Sequence, residues 1–128
     1  MAGSLIDTNV IIKMLHNEKA ALDVFAKIDS AYVPVIVAGE LFYGAYNSST
    51  PDKNIELFQN VLAQFEILPV NSEVANSYAL IKSELKKAGK PIPENDLWIA
   101  ATAHAYNLPL ATFDMHFENV VLITCSIL

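Results

Sequence analysis

Short apolar runs separated by polar turns give the chain a regular alternation. Ser4–Ile6 reads as a short strand, and the polar Asp7-Thr8-Asn9 opens a helix through Met14. Ala21, Leu22, Phe25 and Ile28 fall at helical spacing within a second helix, Glu18 to Lys27. Ala31–Val33 is the next strand, closed by Pro34, and Val35 to Ala45 is a very apolar helix ending near Asn47-Ser48-Ser49. Thr50 as N-cap with Pro51 at the first helical position predicts a helix to about Gln64. Phe65–Val70 is a strand; Asn71 or Ser72 caps an amphipathic helix to Lys87, and Gly89 stops it. Lys90-Pro91-Ile92-Pro93 is a loop, because proline neither donates nor fits there. Helix Asn95–Asn107, strand Leu110–Thr112, a polar turn and a last strand near Val120–Ile123 complete the order.

Strands alternating with helices predict an α/β fold whose parallel sheet is covered on both faces. Ligands of such sheets bind outside the carboxyl ends of the strands. At 128 residues the chain fits one domain, 1–128, with Met1–Gly3 set aside as having the look of an expression remnant. The apolar share of 53% predicts a globular fold with either apolar surface kept for a partner or an unusually full core. No apolar run is long enough to cross a bilayer, and the N-terminus has neither a basic start nor a long apolar stretch. With one cysteine, Cys125, an internal disulfide and a cysteine-based zinc site are both excluded. A cytoplasmic protein without membrane contact is expected.

Net charge is −6, from 14 acids against 8 bases, and every base is lysine. That balance is unfavourable for phosphate contacts unless four acids hold a cation, which leaves ten against eight. Four acids stand out by position. Asp7 and Asp114 follow strands, although Asp7 also reads as an N-cap and Asp114 as a turn residue. Glu40 is the one charge in Val35–Ala45; an apolar helix of this kind is expected to be buried, so its carboxylate either needs a partner or a cation or lies on a narrow solvated stripe. Asp96 opens the apolar stretch Asp96-Leu97-Trp98-Ile99-Ala100-Ala101, where helix capping by Asn95 or Asp96 is the rival account and a first-turn acid also suits the helix dipole. Chain order puts all four on the carboxyl edge of the sheet. Carboxylates gathered there repel unless a cation intervenes. Hard oxygen donors without clustered His or Cys select Mg²⁺ or Mn²⁺, and metal-assisted phosphodiester hydrolysis is the matching chemistry.

Leu5-Ile6-Asp7-Thr8-Asn9, Glu40-Leu41-Phe42-Tyr43-Gly44-Ala45, Asn95-Asp96-Leu97-Trp98-Ile99-Ala100-Ala101-Thr102-Ala103 and Leu110-Ala111-Thr112-Phe113-Asp114-Met115-His116-Phe117 resemble, in order, the blocks of VapC-like PIN domains. The resemblance spans essentially the whole chain. It implies a three-layer α/β/α fold with a short, mainly parallel sheet. It also implies a Mg²⁺- or Mn²⁺-dependent endoribonuclease that is the toxin of a toxin–antitoxin pair. Asp7, Glu40, Asp96 and Asp114 fall on the family's acidic quartet, with Thr8, Asn9 and Thr112 orienting carboxylates or waters. RNA substrate, a cognate antitoxin across the active-site groove and a homodimer are the implied partners. Two departures stand out. Phe113 occupies a position that is often Asn, and Tyr46-Asn47-Ser48-Ser49 stand where relatives often carry basic residues.

The remaining candidates are weaker. His16, His104 and His116 are too scattered for a histidine metal motif; His104 reads as structural, and His116 as close enough to Asp114 to approach the site. Lys13 and the group Lys82, Lys86, Lys87 and Lys90 are candidate phosphate contacts, the group reading first as a solvated helix face. Tyr43 and Tyr46 suit base stacking or a dimer interface. A phosphoacceptor receiver domain would need an acid after the central strand, which runs into Pro69-Val70-Asn71. A phosphatase with an aspartyl nucleophile would need a second acid at Asn9. A non-catalytic PIN-fold binding protein and a DNA-directed nuclease are the alternatives kept.

Overall fold

The computed structural model describes residues 3–128, with Ile127 described in its backbone only. The chain runs β1 (Gly3–Ile6), α1 (Thr8–Leu15), α2 (Lys19–Lys27), β2 (Ser30–Pro34), α3 (Val35–Tyr46) and α4 (Pro51–Leu62). It continues through β3 (Glu66–Leu68), α5 (Ser72–Ala88), α6 (Glu94–Ala105), β4 (Leu110–Thr112), a 3₁₀ turn (Met115–Asn119) and β5 (Cys125–Ile127). The sheet has the order β3-β2-β1-β4-β5, and each of its ladders is parallel. Helices enclose it in an α/β/α arrangement.

From β1 the chain builds outward to β2 and β3, then returns past β1 to add β4 and β5. The reversal therefore lies between β1 and β4, where Leu5 pairs with Leu110 and Ile6 with Ala111. Crevices form at such a switch point, because the connections on its two sides leave in opposite directions.

The strands are buried as their apolar runs demand: Leu5, Ile6, Val33 and Leu110 have no solvent exposure. On α5, Val74, Ser77, Ile81 and Leu85 form the one buried stripe that its amphipathic pattern predicts. Asn71 Oδ1 accepts from Val74 N (2.9 Å) at its start, and Gly89 ends it with φ +69°, a conformation that disfavours any side chain with a Cβ. α6 is buried on most sides, and the enclosed Thr102 hydroxyl donates to Trp98 O (2.8 Å). His104 Nδ1 lies 2.7 Å from Ser77 Oγ, a satisfied structural histidine.

Two expectations need correction. No strand forms at Val120–Ile123; the fifth strand is Cys125–Ile127. A strand parallel to β4 cannot start where β4 stops, because the chain must first travel back along the sheet. The 3₁₀ turn and the following residues make that return; Val120 N closes on Phe117 O (3.0 Å), and Leu110 N reaches Thr124 O (2.9 Å). Thr50 precedes α4, but its side chain makes no capping bond; Pro51 alone marks the start. Gly3 is the first residue of β1, paired with Ser30 beside the Tyr32 ring; Met1 and Ala2, the rest of the segment set aside as a remnant, lie outside the described residues. No helix among the described residues is long and apolar enough to cross a membrane.

Candidate metal centre

Asp7 is the residue at which β1 gives way to α1. Its N–H donates to Ala111 O (3.1 Å), so the ends of β1 and β4 stay side by side. Its carboxylate caps α1, with Oδ1 accepting from Thr8 N (2.7 Å). Oδ2 accepts from the Thr112 hydroxyl (2.7 Å) and, at longer range, from Asn9 Nδ2 (3.4 Å). Capping is thus one of several roles. Asp7 is only 4% exposed. Burial pushes its carboxyl up to about 6 despite the Thr112 and Thr8 hydrogen bonds, and Asp96 and Glu40 raise it further by repulsion.

Asp114 follows β4 and caps the 3₁₀ turn, accepting at Oδ1 from His116 N (3.3 Å). Its own N–H donates to Thr112 Oγ1 (3.0 Å). One hydroxyl therefore serves both acids at the switch point, donating to Asp7 and accepting from Asp114. Asp96 sits in the first turn of α6, but the helix is capped at Pro93 without any side-chain bond. The capping account of Asp96 fails. Burial raises its carboxyl above the usual range, opposed by His116 and reinforced by Asp114 and Glu40.

Glu40 arrives from α3, and its Oε1 accepts from the Thr8 hydroxyl (2.8 Å). Full burial of this helix is not found. Val35, Tyr43 and Tyr46 are exposed, and Glu40 is half-buried on the cleft side. An apolar helix predicts a covered face, but whether protein or solvent covers it depends on tertiary context.

Asp7, Glu40, Asp96 and Asp114 all line one cleft of about 630 Å³ at the carboxyl edge of the sheet. Thr8 and Asn9 line it too, while Thr112 lies fully buried beneath Asp7. Asn9 Oδ1 accepts from Phe113 N (3.1 Å), so the aromatic residue at that position keeps its backbone tie. Lys82, Lys86, Lys87 and Lys90 are elsewhere, on α5 and the loop after it; Lys13 lines the cleft.

His116 is the residue that sequence reasoning ranks too low; its one signal is the interval of two from Asp114. Its Nδ1 is 2.6 Å from Asp114 Oδ1, and its Nε2 is 2.6 Å from Asp96 Oδ2. The second contact lacks hydrogen-bond alignment, which leaves the buried Nε2 without a satisfied partner. One atom from each of Asp96, Asp114 and His116 lies within 4.8 Å of the others. Carboxylate oxygens dominate the donor set, and the two His116 ring nitrogens adjoin them at 2.6 Å. Such a set fits a hard divalent cation of the Mg²⁺ or Mn²⁺ type, which would offset the burial and the lesser repulsion that raise Asp7 and Asp96.

Comparison with known proteins agrees with this geometry. The PIN domain family matches residues 4–121. Ribonuclease VapC2 of Haemophilus influenzae is 32% identical over 126 residues, 94% of each chain. The structure of VapBC-1 from nontypeable Haemophilus influenzae superposes with a TM-score of 0.86 at 27% identity, covering 99% of this chain and 98% of that one. VapBC-5 of Mycobacterium tuberculosis, a member of the VapBC family of toxin–antitoxin systems, gives a TM-score of 0.83 at 28% identity over 100% of both chains. The chain belongs to the PIN-domain family, among its VapC-type members.

Proposed function

We propose that this chain is an endoribonuclease that hydrolyses RNA phosphodiester bonds with a divalent cation held by Asp7, Glu40, Asp96 and Asp114. The convergence of four acids from four separate elements on one cleft at the switch point carries the reading. Relatives named ribonucleases support RNA as the substrate. Mg²⁺ or Mn²⁺ would supply an activated water and neutralise charge at the phosphate. The protein's part is to hold the ligands ready. Thr112, Thr8 and Asn9 fix both oxygens of Asp7, Thr8 aims Glu40, and His116 spans Asp96 and Asp114. Hydrogen-bonded ligands of this kind lose little side-chain freedom when the cation and substrate bind.

The same reading makes the chain the toxin of a toxin–antitoxin pair, acting in the cytoplasm and restrained by a cognate antitoxin. Solved VapBC complexes of similar fold support a protein partner. Exposed Val35, Tyr43 and Tyr46 on α3 offer apolar ground for that partner or for a second copy in a homodimer.

A fluorogenic single-stranded RNA, offered with Mg²⁺ or Mn²⁺ to wild type, Asp7→Asn and Asp96→Asn, tests the nuclease. Cleavage by wild type alone is expected. Wild type no faster than the variants with either cation would leave a non-catalytic binding protein, and preferential cleavage of single-stranded DNA in parallel would change the substrate.

A further inference from the structure

The cleft sets a problem for its own substrate. Asp7, Glu18, Glu40, Asp96 and Asp114 line it, and among the described residues Lys13 is the one lysine that does. The chain has no arginine. A polyanionic strand entering this cleft therefore meets a single permanent cation supplied by the protein.

Lys13 is built into the site's framework. It stands four residues after Asn9 on α1, and residues at that interval share a helix face. Asn9 reaches Asp7 and Phe113 from that face, and Lys13 follows it into the cleft. The ammonium lies 5.0 Å from the centroid of the Phe113 ring, one residue from Asp114. Phe113 thus gives the lysine a platform beside the acids, where an asparagine could not.

The rest of its coordination is loose. Lys13 Nζ pairs with Glu18 Oε1 at 3.3 Å, and the side chains are 36% and 47% exposed. Exposed pairs hold weakly because water and salt compete for both partners. Elsewhere, Lys82 is engaged by Glu94 and Tyr78, and Lys87 by Glu84, on surfaces that do not border this cleft.

We propose that Lys13 is the phosphate-binding residue of the cleft: it takes a backbone phosphate of the RNA strand, and Glu18 is the carboxylate it leaves to do so. The inference rests on the nuclease reading and names how that site grips its substrate. Phosphate is the better partner, since a strand held by the cation site would present it to the ammonium at close range.

Fluorescence anisotropy with an end-labelled single-stranded RNA tests this, with Ca²⁺ present, strand integrity checked on a gel, and salt varied. Lys13→Ala and Lys13→Gln should bind about tenfold more weakly. Their slope of log affinity against log salt should be shallower by about 0.7, the signature of one lost phosphate contact. Lys13→Arg should restore both, and Glu18→Gln should bind more tightly than wild type. Mn²⁺ affinity by calorimetry should not weaken in Lys13→Ala. Equal affinity and slope in wild type and the Lys13 variants overturn the assignment while leaving the nuclease reading in place. A parallel loss of Mn²⁺ affinity overturns it too, by making Lys13 a structural residue. Failure of wild type to bind RNA removes the nuclease reading and this inference together.

Discussion

Thr112 Oγ1 donates to Asp7 Oδ2 at 2.7 Å across 105 residues of sequence, and the same oxygen accepts the Asp114 N–H at 3.0 Å. A single buried hydroxyl thereby sets two acids that the chain brings from opposite ends. Thr112→Val keeps the shape but leaves the Asp114 N–H unpaired and strips Asp7 of a donor. A loss of about 1–3 kcal/mol is expected in urea unfolding, with weaker Mn²⁺ binding, while Thr112→Ser stays near wild type.

Stability should fall with rising pH when cations are chelated. Asp7 has a folded value of about 6 against an ordinary 3.8, so the folded protein holds a proton there that the unfolded chain has released. Its contribution is complete below 3.8 and disappears as pH climbs through about 6. The difference corresponds to roughly 3 kcal/mol at neutrality, and Asp96 acts in the same direction. Thermal melts in EDTA should show this decline. Excess Mn²⁺ should remove it, since ligation favours the ionised carboxylates. A flat profile in EDTA would falsify the account of Asp7.

His116→Ala should weaken Mn²⁺ binding by about 10–100-fold, because the ring spans Asp96 and Asp114 and sets their separation. Titration calorimetry on the intact protein reads this directly. Unchanged affinity would mean that backbone position alone holds the two carboxylates.

Gly89→Ala should cost about 1 kcal/mol in unfolding free energy, since φ is +69° and a Cβ there meets the following carbonyl. Space away from the local backbone is not the issue, because nothing beyond the neighbouring backbone lies within 4 Å of the added carbon. Gly89→Asn should cost less, as asparagine tolerates the left-handed region.

Where the sequence was informative, a local rule and the tertiary structure agreed. The Asn71 cap and the Gly89 stop bound α5 because both are decided within one helical turn. Asp7 and Asp114 could be placed at strand ends from chain order, since crossover connections leave few alternatives. Val120–Ile123 misled because apolar composition alone cannot distinguish a strand from a return segment whose path β4 dictates. Glu40 was singled out for the apolarity of its helix, yet that helix exposes Tyr43 and Tyr46. His116 carries little sequence signal because its partner Asp96 comes from α6, a neighbour no spacing reveals. Lys13 could be separated from the α5 lysines only once the cleft wall was known.

The placement of β4 beside β1 also orders events during synthesis. Asp7 leaves the ribosome well before Leu110–Thr112, and its strand gains its β4 neighbour only when that later segment has emerged. A polypeptide interrupted before that point carries Asp7, Glu40 and even Asp96, yet has neither the Thr112 hydroxyl nor Asp114 to finish the cleft. The centre is thus completed only by β4 and the turn that follows it. A nascent or truncated chain that stops short of β4 therefore has no complete cleft.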